Sequence, residues 1–310
     1  MILTTRQFQN LNQHTLGTIP EHLQILFNKI KQEHYEELYE QEADGTASLE
    51  NDLRKVLEAF RPGKSTVSHL QYIWMTLILI LAVEPTLQFY NPTSYLPKKI
   101  INLIVLWIGE ISFNLIENIT ISSTIIDELV KEIFKDAESY FARKKGVNYQ
   151  SISEALDVFY NALRVLNYDQ SVEAILEILY DCLEGYAIFP GSYGRRELFD
   201  WWLLEVVPAS WYLLPPKSFY VVEGLQNKEE IKLRQTRLLE KISSEIWYPV
   251  LREIGYNRKA QYNTLLNPYT PVIKFNHSID VKINSGNNFN ASSNARIINF
   301  PENTLSVCFV

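Results

Sequence analysis

A chain of 310 residues, 46% apolar and 21% charged, is long enough to bury one large core or two ordinary ones, and too apolar to remain disordered. A net charge of −7 gives no overall basic field, which weighs against nucleic acid as a partner. The two cysteines, Cys182 and Cys308, lie far apart and suit free thiols of a reducing compartment better than a disulfide framework, so the expected location is cytoplasmic.

Residues 1–17 read as an N-terminal arm, without the basic start and apolar run of a secretory leader. The next residues, up to about 257, read as a multihelical body. "TIPE" predicts its first helix, with Thr18 as cap, Pro20 in the first turn and Glu21 completing a capping box. That helix is expected to run on to Asp44-Gly45. A second covers about Leu49 to Phe60, ending before Pro62-Gly63. A third holds the most apolar run, Leu70 to Val83, and is expected to stop at Glu84-Pro85. It is then short of the roughly 20 apolar residues of a membrane span. No integral insertion is therefore expected, with peripheral membrane contact left open. Prolines 85, 92 and 97 make "QFYNPTSYLP" a predicted loop.

Apolar residues at 126, 129, 130, 133, 134, 137, 140 and 141 predict an amphipathic helix over 124–141. "SISE" at Ser151 to Glu154 matches a capping box and predicts a helix to about Leu166. "NYDQ" turns the chain, and Val172, Ile175, Leu176, Leu179, Cys182, Leu183 and Tyr186 line the next helix. Residues 187–224 read as an aromatic and proline-rich insertion holding three of the six tryptophans, with "SFYVVEG" a short strand. Lys228 to Gly255 is a long helix expected to kink at Pro249. The tail, 258–310, is expected to contain β structure: a strand at "VIKFNHSIDVKI", an Asn/Ser-rich loop over 284–294, and a hairpin around Pro301-Glu302-Asn303. The fold expected is mainly α, an irregular multihelical bundle with a degenerate helical repeat as second reading, plus a small C-terminal β hairpin or sheet.

Few residues point to chemistry. "RPGKST" at Arg61 to Thr66 lacks the first glycine of a phosphate-binding loop, because position 58 is Glu, and a helix precedes it. The five histidines form no zincin or di-iron spacing, and His34 reads as a partly buried, hydrogen-bonded ring near an apolar stripe. Carboxylate pairs alternate with lysines as on solvated helix faces. No metal, cofactor or catalytic residue is assigned.

The exception is "FPGSYGRRELFDWW". Gly191 and Gly194 permit unusual backbone angles, Ser192 adds a hydroxyl, and the amides of a helix starting near Arg195 point toward this loop, as at anion sites. Arg195 and Arg196 in a first turn oppose the helix dipole, at about 0.3–1 kcal/mol each when exposed. They therefore call for an anion, an acid or a partner. The structural alternative pairs Arg196 with Asp200 and packs the tryptophans into the core. Arginine and tryptophan together mark interface hot spots, so Gly191, Ser192, Gly194, Arg195, Arg196, Trp201, Trp202 and Trp211 are the candidate binding residues. The function expected is a non-catalytic helical scaffold or adaptor that binds a protein partner through residues 189–220. The alternative is a helical enzyme or small-ligand binder with an apolar cavity and an anion-binding loop at Gly191 to Arg196.

Overall fold

The computed structural model describes residues 19–34, 48–61, 65–92, 94–117, 131, 149–184, 187–188, 195–222, 225 and 227–253. The helix expected over 124–141, apart from Lys131, and the whole of the 258–310 tail lie outside the described residues, as do Thr18, Gly191, Ser192 and Gly194.

The first element, α1 (Glu21–Glu33), begins after Pro20, which has no side chain able to accept from the free amides. Its buried stripe is Leu23, Phe27 and Ile30, spaced four and three apart, which sets one face against the body. Within α2 (Leu49–Glu58), Ser48 is the cap and accepts from the Asn51 amide at 3.4 Å. Leu53, Val56 and Leu57 bury its inner face. The helix ends where the sequence places its stop, with Ala59 and Phe60 in a turn.

The central element is α3 (Ser65–Tyr90), and here the expectation of a stop at Glu84-Pro85 is corrected: the helix continues through Pro85. Proline costs a helix interior about 3 kcal/mol through a lost backbone bond and a ring clash. Burial outweighs that cost. Residues 70 to 87 of this helix are all buried, including Glu84, Thr86 and Leu87 beside the proline. Long enough by this extension to cross a membrane, the segment Thr66–Tyr90 has 83% of its apolar window buried inside the protein, as a core helix does. Its polar atoms reach its neighbours: the Tyr72 hydroxyl donates to the Leu57 carbonyl at 2.8 Å, and Trp74 Nε1 donates to the Leu214 carbonyl at 2.9 Å.

Around α3 pack α4 (Leu96–Glu117) and the antiparallel pair α5 (Tyr149–Arg164) and α6 (Ser171–Glu184). Helix α5 starts two residues before the predicted "SISE" cap, and Ser151 is buried inside it. The turn between α5 and α6 is a short 3-10 segment, Tyr168–Gln170, in which the Asn167 side chain accepts from the Asp169 amide. Val172, Ile175, Leu176, Leu179, Cys182 and Leu183 are buried along α6, as their spacing predicts.

One continuous helical rod follows: α7 (Arg195–Trp201), a π-helical turn over Trp202–Val206, and α8 (Val207–Tyr212). Pro208 accounts for the wide turn. Lacking an amide hydrogen and clashing with the carbonyl of the preceding turn, it favours a locally expanded spiral. Leu213 closes α8 in the left-handed conformation at φ 55°, usually a glycine position. Its carbonyl is held by the Ser243 hydroxyl at 2.6 Å, and the next amide, of Leu214, donates back to Ala209. "SFYVVEG" is not a strand over its described part: residues 219–222 are irregular, with Phe219, Val221 and Val222 buried. No strand occurs among the described residues. The last described helix, α9 (Lys228–Glu253), passes through Pro249 and packs on α4 and α3.

The described architecture is thus mainly α, with α3 in contact with α4, α5, α6, α8 and α9. Contacts between helices so far apart in sequence differ from a row of repeats that touch only their neighbours.

Candidate functional site

The two arginines that stand out in the sequence lie at the start of α7, and the structure shows where their charge goes. Arg196 is 5% exposed. Its guanidinium donates from Nη1 to the His34 carbonyl at 3.2 Å and from Nη2 to the Lys31 carbonyl at 3.0 Å. Both acceptors are end carbonyls of α1, where the helix dipole is negative and carbonyls lack helical partners. Its Nε lies 3.4 Å from Asp200, the pairing four residues on, and its Cζ sits 5.6 Å from the Phe199 ring centre. Arg195 does the same for another helix, its Nε donating to the Leu183 carbonyl near the end of α6. Two cations that oppose the dipole of their own helix thus each complete the C-terminal end of a neighbour.

The end of α1 carries a second polar contact. His34 is fully buried, and its Nε2 lies 3.0 Å from Oδ2 of Asp52, itself 3% exposed. Lys55, one turn along α2, binds the other oxygen, Oδ1, at 2.5 Å. Burial alone would raise the Asp52 carboxyl; hydrogen bonds from Lys55 and His34 outweigh it and hold the group below its ordinary value. With the carboxylate ionised, the His34 nitrogen facing it carries the proton and donates. Lys31 adds an ion pair to Asp200 at 3.7 Å. The chain Asp52, His34, Arg196, Asp200, Lys31 therefore ties α1, α2 and α7 at one junction.

In chemical terms, the histidine and aspartate resemble the base-orienting half of a catalytic triad. The ring is 0% exposed and its Nε2 is engaged by the carboxylate. Glu33, His34 and Asp52 also bring three ligand atoms within 4.8 Å of one another. The positive charge at that point is supplied by the Lys55 ammonium, which occupies Oδ1. His69 is committed elsewhere: its Nε2 meets the Val165 carbonyl at 2.9 Å, and burial pushes its pKa down.

Of the residues singled out in the sequence, Trp201 and Trp202 are 6% and 1% exposed, so they support the rod from beneath. Trp201 Nε1 donates to the Ser218 carbonyl at 2.8 Å, and its ring packs against Phe219 and Tyr220. Trp211 is half-buried against Phe60, ring centres 5.0 Å apart. Beyond Arg195, Glu197 and Asp200 in its first turns, the positions of the rod that are not buried are Leu204, 41% exposed, and Glu205, Pro208, Trp211 and Tyr212, all half-buried. From Trp202 to Pro216 the single charged residue is Glu205, and its carboxylate accepts from the Lys217 amide at 3.0 Å. Asp52 and Lys55 escaped the sequence reading. The available signal was an acid on the apolar stripe of α2, four residues before Val56 and one before Leu53.

No protein-family model matches the chain, and neither a curated protein nor a solved structure is found to be similar to it.

Proposed function

We propose that this protein is a non-catalytic helical scaffold, acting in the cytoplasm, that binds a protein partner through the outward face of the rod within residues 189–220. One observation carries the reading: Leu204, Pro208 and Tyr212, with Trp211 partly packed on Phe60, make an apolar row along the part of the rod from Trp202 to Tyr212, whose single charged residue is Glu205. A solvated helix face normally alternates acids and lysines, whereas depletion of charge with aromatic enrichment is the mark of an interface core. The buried Phe199, Trp201 and Trp202 beneath hold that stripe rigid, which lowers the ordering cost of docking.

The test is a comparison of co-purifying proteins between the wild type and Leu204→Asp, Trp211→Ala and Tyr212→Ala, each checked for helicity by circular dichroism. The reading expects at least one partner to be lost from all three variants. Retention of every partner by all of them sinks it.

The second reading, a small-ligand site in the interior with an anion-binding loop at Gly191 to Arg196, has its own support. Trp107 Nε1, Trp202 Nε1 and the Thr76 hydroxyl are buried without a hydrogen-bond partner among the described residues. Such groups are uncommon in folded proteins and call for a water or ligand acceptor. Native mass spectrometry that finds only the bare chain mass counts against it.

A further inference from the structure

The junction of α1 and α2 gathers metal-ligating atoms as well as hydrogen bonds. Glu33 ends α1, His34 caps it, and Asp52 stands in the first turns of α2. One ligand atom from each of the three lies within 4.8 Å of the other two. Two of them are fixed by packing: His34 and Asp52 are both buried, with Nε2 and Oδ2 3.0 Å apart. Glu33 is exposed, and its carboxylate forms a surface ion pair with Lys29 at 3.6 Å.

That spacing is close to what an ion demands. A tetrahedral ion with bonds of about 2.1 Å holds neighbouring ligands about 3.4 Å apart. The Nε2–Oδ2 pair has only to open slightly. Glu33, on a flexible stem reaching in from solvent, closes a remaining distance on the order of 1 Å. Folding has already assembled the buried pair, so an ion meets two ligands whose ordering cost is met.

The charges around the three residues decide whether an ion can enter. In the metal-free protein Lys55 sits on Oδ1 of Asp52 and Lys29 on Glu33, so each carboxylate already has a cation. Both lysine side chains are 54% exposed. A divalent ion replaces both charges at once: two carboxylates and a neutral imidazole around it sum to zero, and the half-exposed ammonium groups return to water at small cost. The Nε2 proton that joins His34 to Asp52 leaves, to Nδ1 or to solvent, and the ion takes its place. Two further cations at this junction, Arg196 and Lys31, face the end carbonyls of α1 and Asp200. One imidazole nitrogen with two carboxylate oxygens suits zinc and its first-row neighbours, whereas calcium takes six to eight oxygens and magnesium an octahedron of oxygens that keeps several waters.

We propose that Glu33, His34 and Asp52 form a binding site for a divalent transition-metal ion of the zinc class. Nε2 of His34 and Oδ2 of Asp52 are its buried ligands, and the Glu33 carboxylate closes over it from solvent. The ion pins the end of α1 to α2. The site stands apart from the apolar row of the rod and does not depend on the reading of that row.

The experiment is calorimetric titration of the chelator-treated full chain with zinc chloride, with magnesium chloride as the contrast. A saturable site for zinc is expected, and none for magnesium. Glu33→Gln changes an exposed side chain, so its circular dichroism should match the wild type while its zinc affinity falls roughly tenfold or more. Lys55→Met removes the competing charge and should tighten zinc binding several-fold. Excess zinc should raise the melting temperature of the wild type, and raise that of Glu33→Gln less. A wild type that takes up no zinc, or that binds magnesium as well as zinc, overturns the proposal. So does a Lys55→Met variant that binds zinc no more tightly. Wild-type affinity in Glu33→Gln overturns it too and puts the ion on another part of the chain.

Discussion

Asp52 shows how one carboxylate sets the acid limit of a helix junction. Its folded pKa is depressed by Lys55 and His34 against the opposing effect of burial. A depressed carboxylate contributes stability above its unfolded value, near 4, and loses that contribution as pH falls through the lower folded value. Asp52→Asn should therefore cost about 1–3 kcal/mol at neutral pH and flatten the acid limb of stability below about pH 4. Urea titrations of both proteins at pH 7, 4 and 3 check it; parallel acid losses would remove Asp52 from the account. Arg196 belongs to the same junction but acts through geometry. Its planar fork reaches two carbonyls of α1, which a lysine's point charge does not reproduce. Arg196→Lys is accordingly expected to lose a large part of what Arg196→Ala loses, on the order of 2 kcal/mol. Chemical denaturation of the two variants measures the difference.

Between elements, the contact of α9 with α3 rests on Glu84, and its energetics are less favourable than the short Arg234 bond implies. Burial pushes the Glu84 carboxyl up, although Arg234 and Gln235 both oppose this. A raised carboxylate loses stability as pH rises through its folded value, so at neutral pH its ionised form costs something to keep. Glu84→Gln removes that charge, retains an oxygen for Gln235, and leaves an arginine side chain 36% exposed to water. The stability change expected at pH 7 is within about 1 kcal/mol. Arg234→Ala leaves the carboxylate buried with less compensation, and its loss should be larger, about 1–3 kcal/mol. Thermal melts of the two variants decide the order; the reverse order would mean that the ion pair outweighs desolvation here.

At the scale of the whole molecule, two large buried rings, Trp74 of α3 and Trp202 of the rod, differ in how their polar atoms are met. Trp74 and Trp202 are both fully buried, yet Trp74 Nε1 donates to the Leu214 carbonyl while Trp202 Nε1 has no partner among the described residues. Replacing either ring by phenylalanine removes similar volume, whereas only Trp74→Phe abandons a buried carbonyl. That variant should be the less stable of the two by about 1 kcal/mol. Equal losses, read from urea midpoints, would indicate that Trp202 Nε1 meets an acceptor in solution and would favour an interior ligand. The central helix α3 explains why the described helices pack around one axis. Apolar on all sides from Leu70 to Val83, it has no face to leave in water.

The sequence by itself determined the helical class, the buried stripe of α6, and the stop of α2, because helical periodicity and breaker residues act over a few positions. It also raised the right question about two arginines in a first turn, since a dipole conflict is a local matter. Only the tertiary structure decided the answers. Their acceptors, at Lys31, His34 and Leu183, lie 12 to 165 positions away. Asp52 needed His34 beside it before its burial made sense, and Pro85 needed the surroundings of α3 to be carried through a helix. Local rules price a proline or a charge by its own turn; packing supplies the terms from every other helix that touches it.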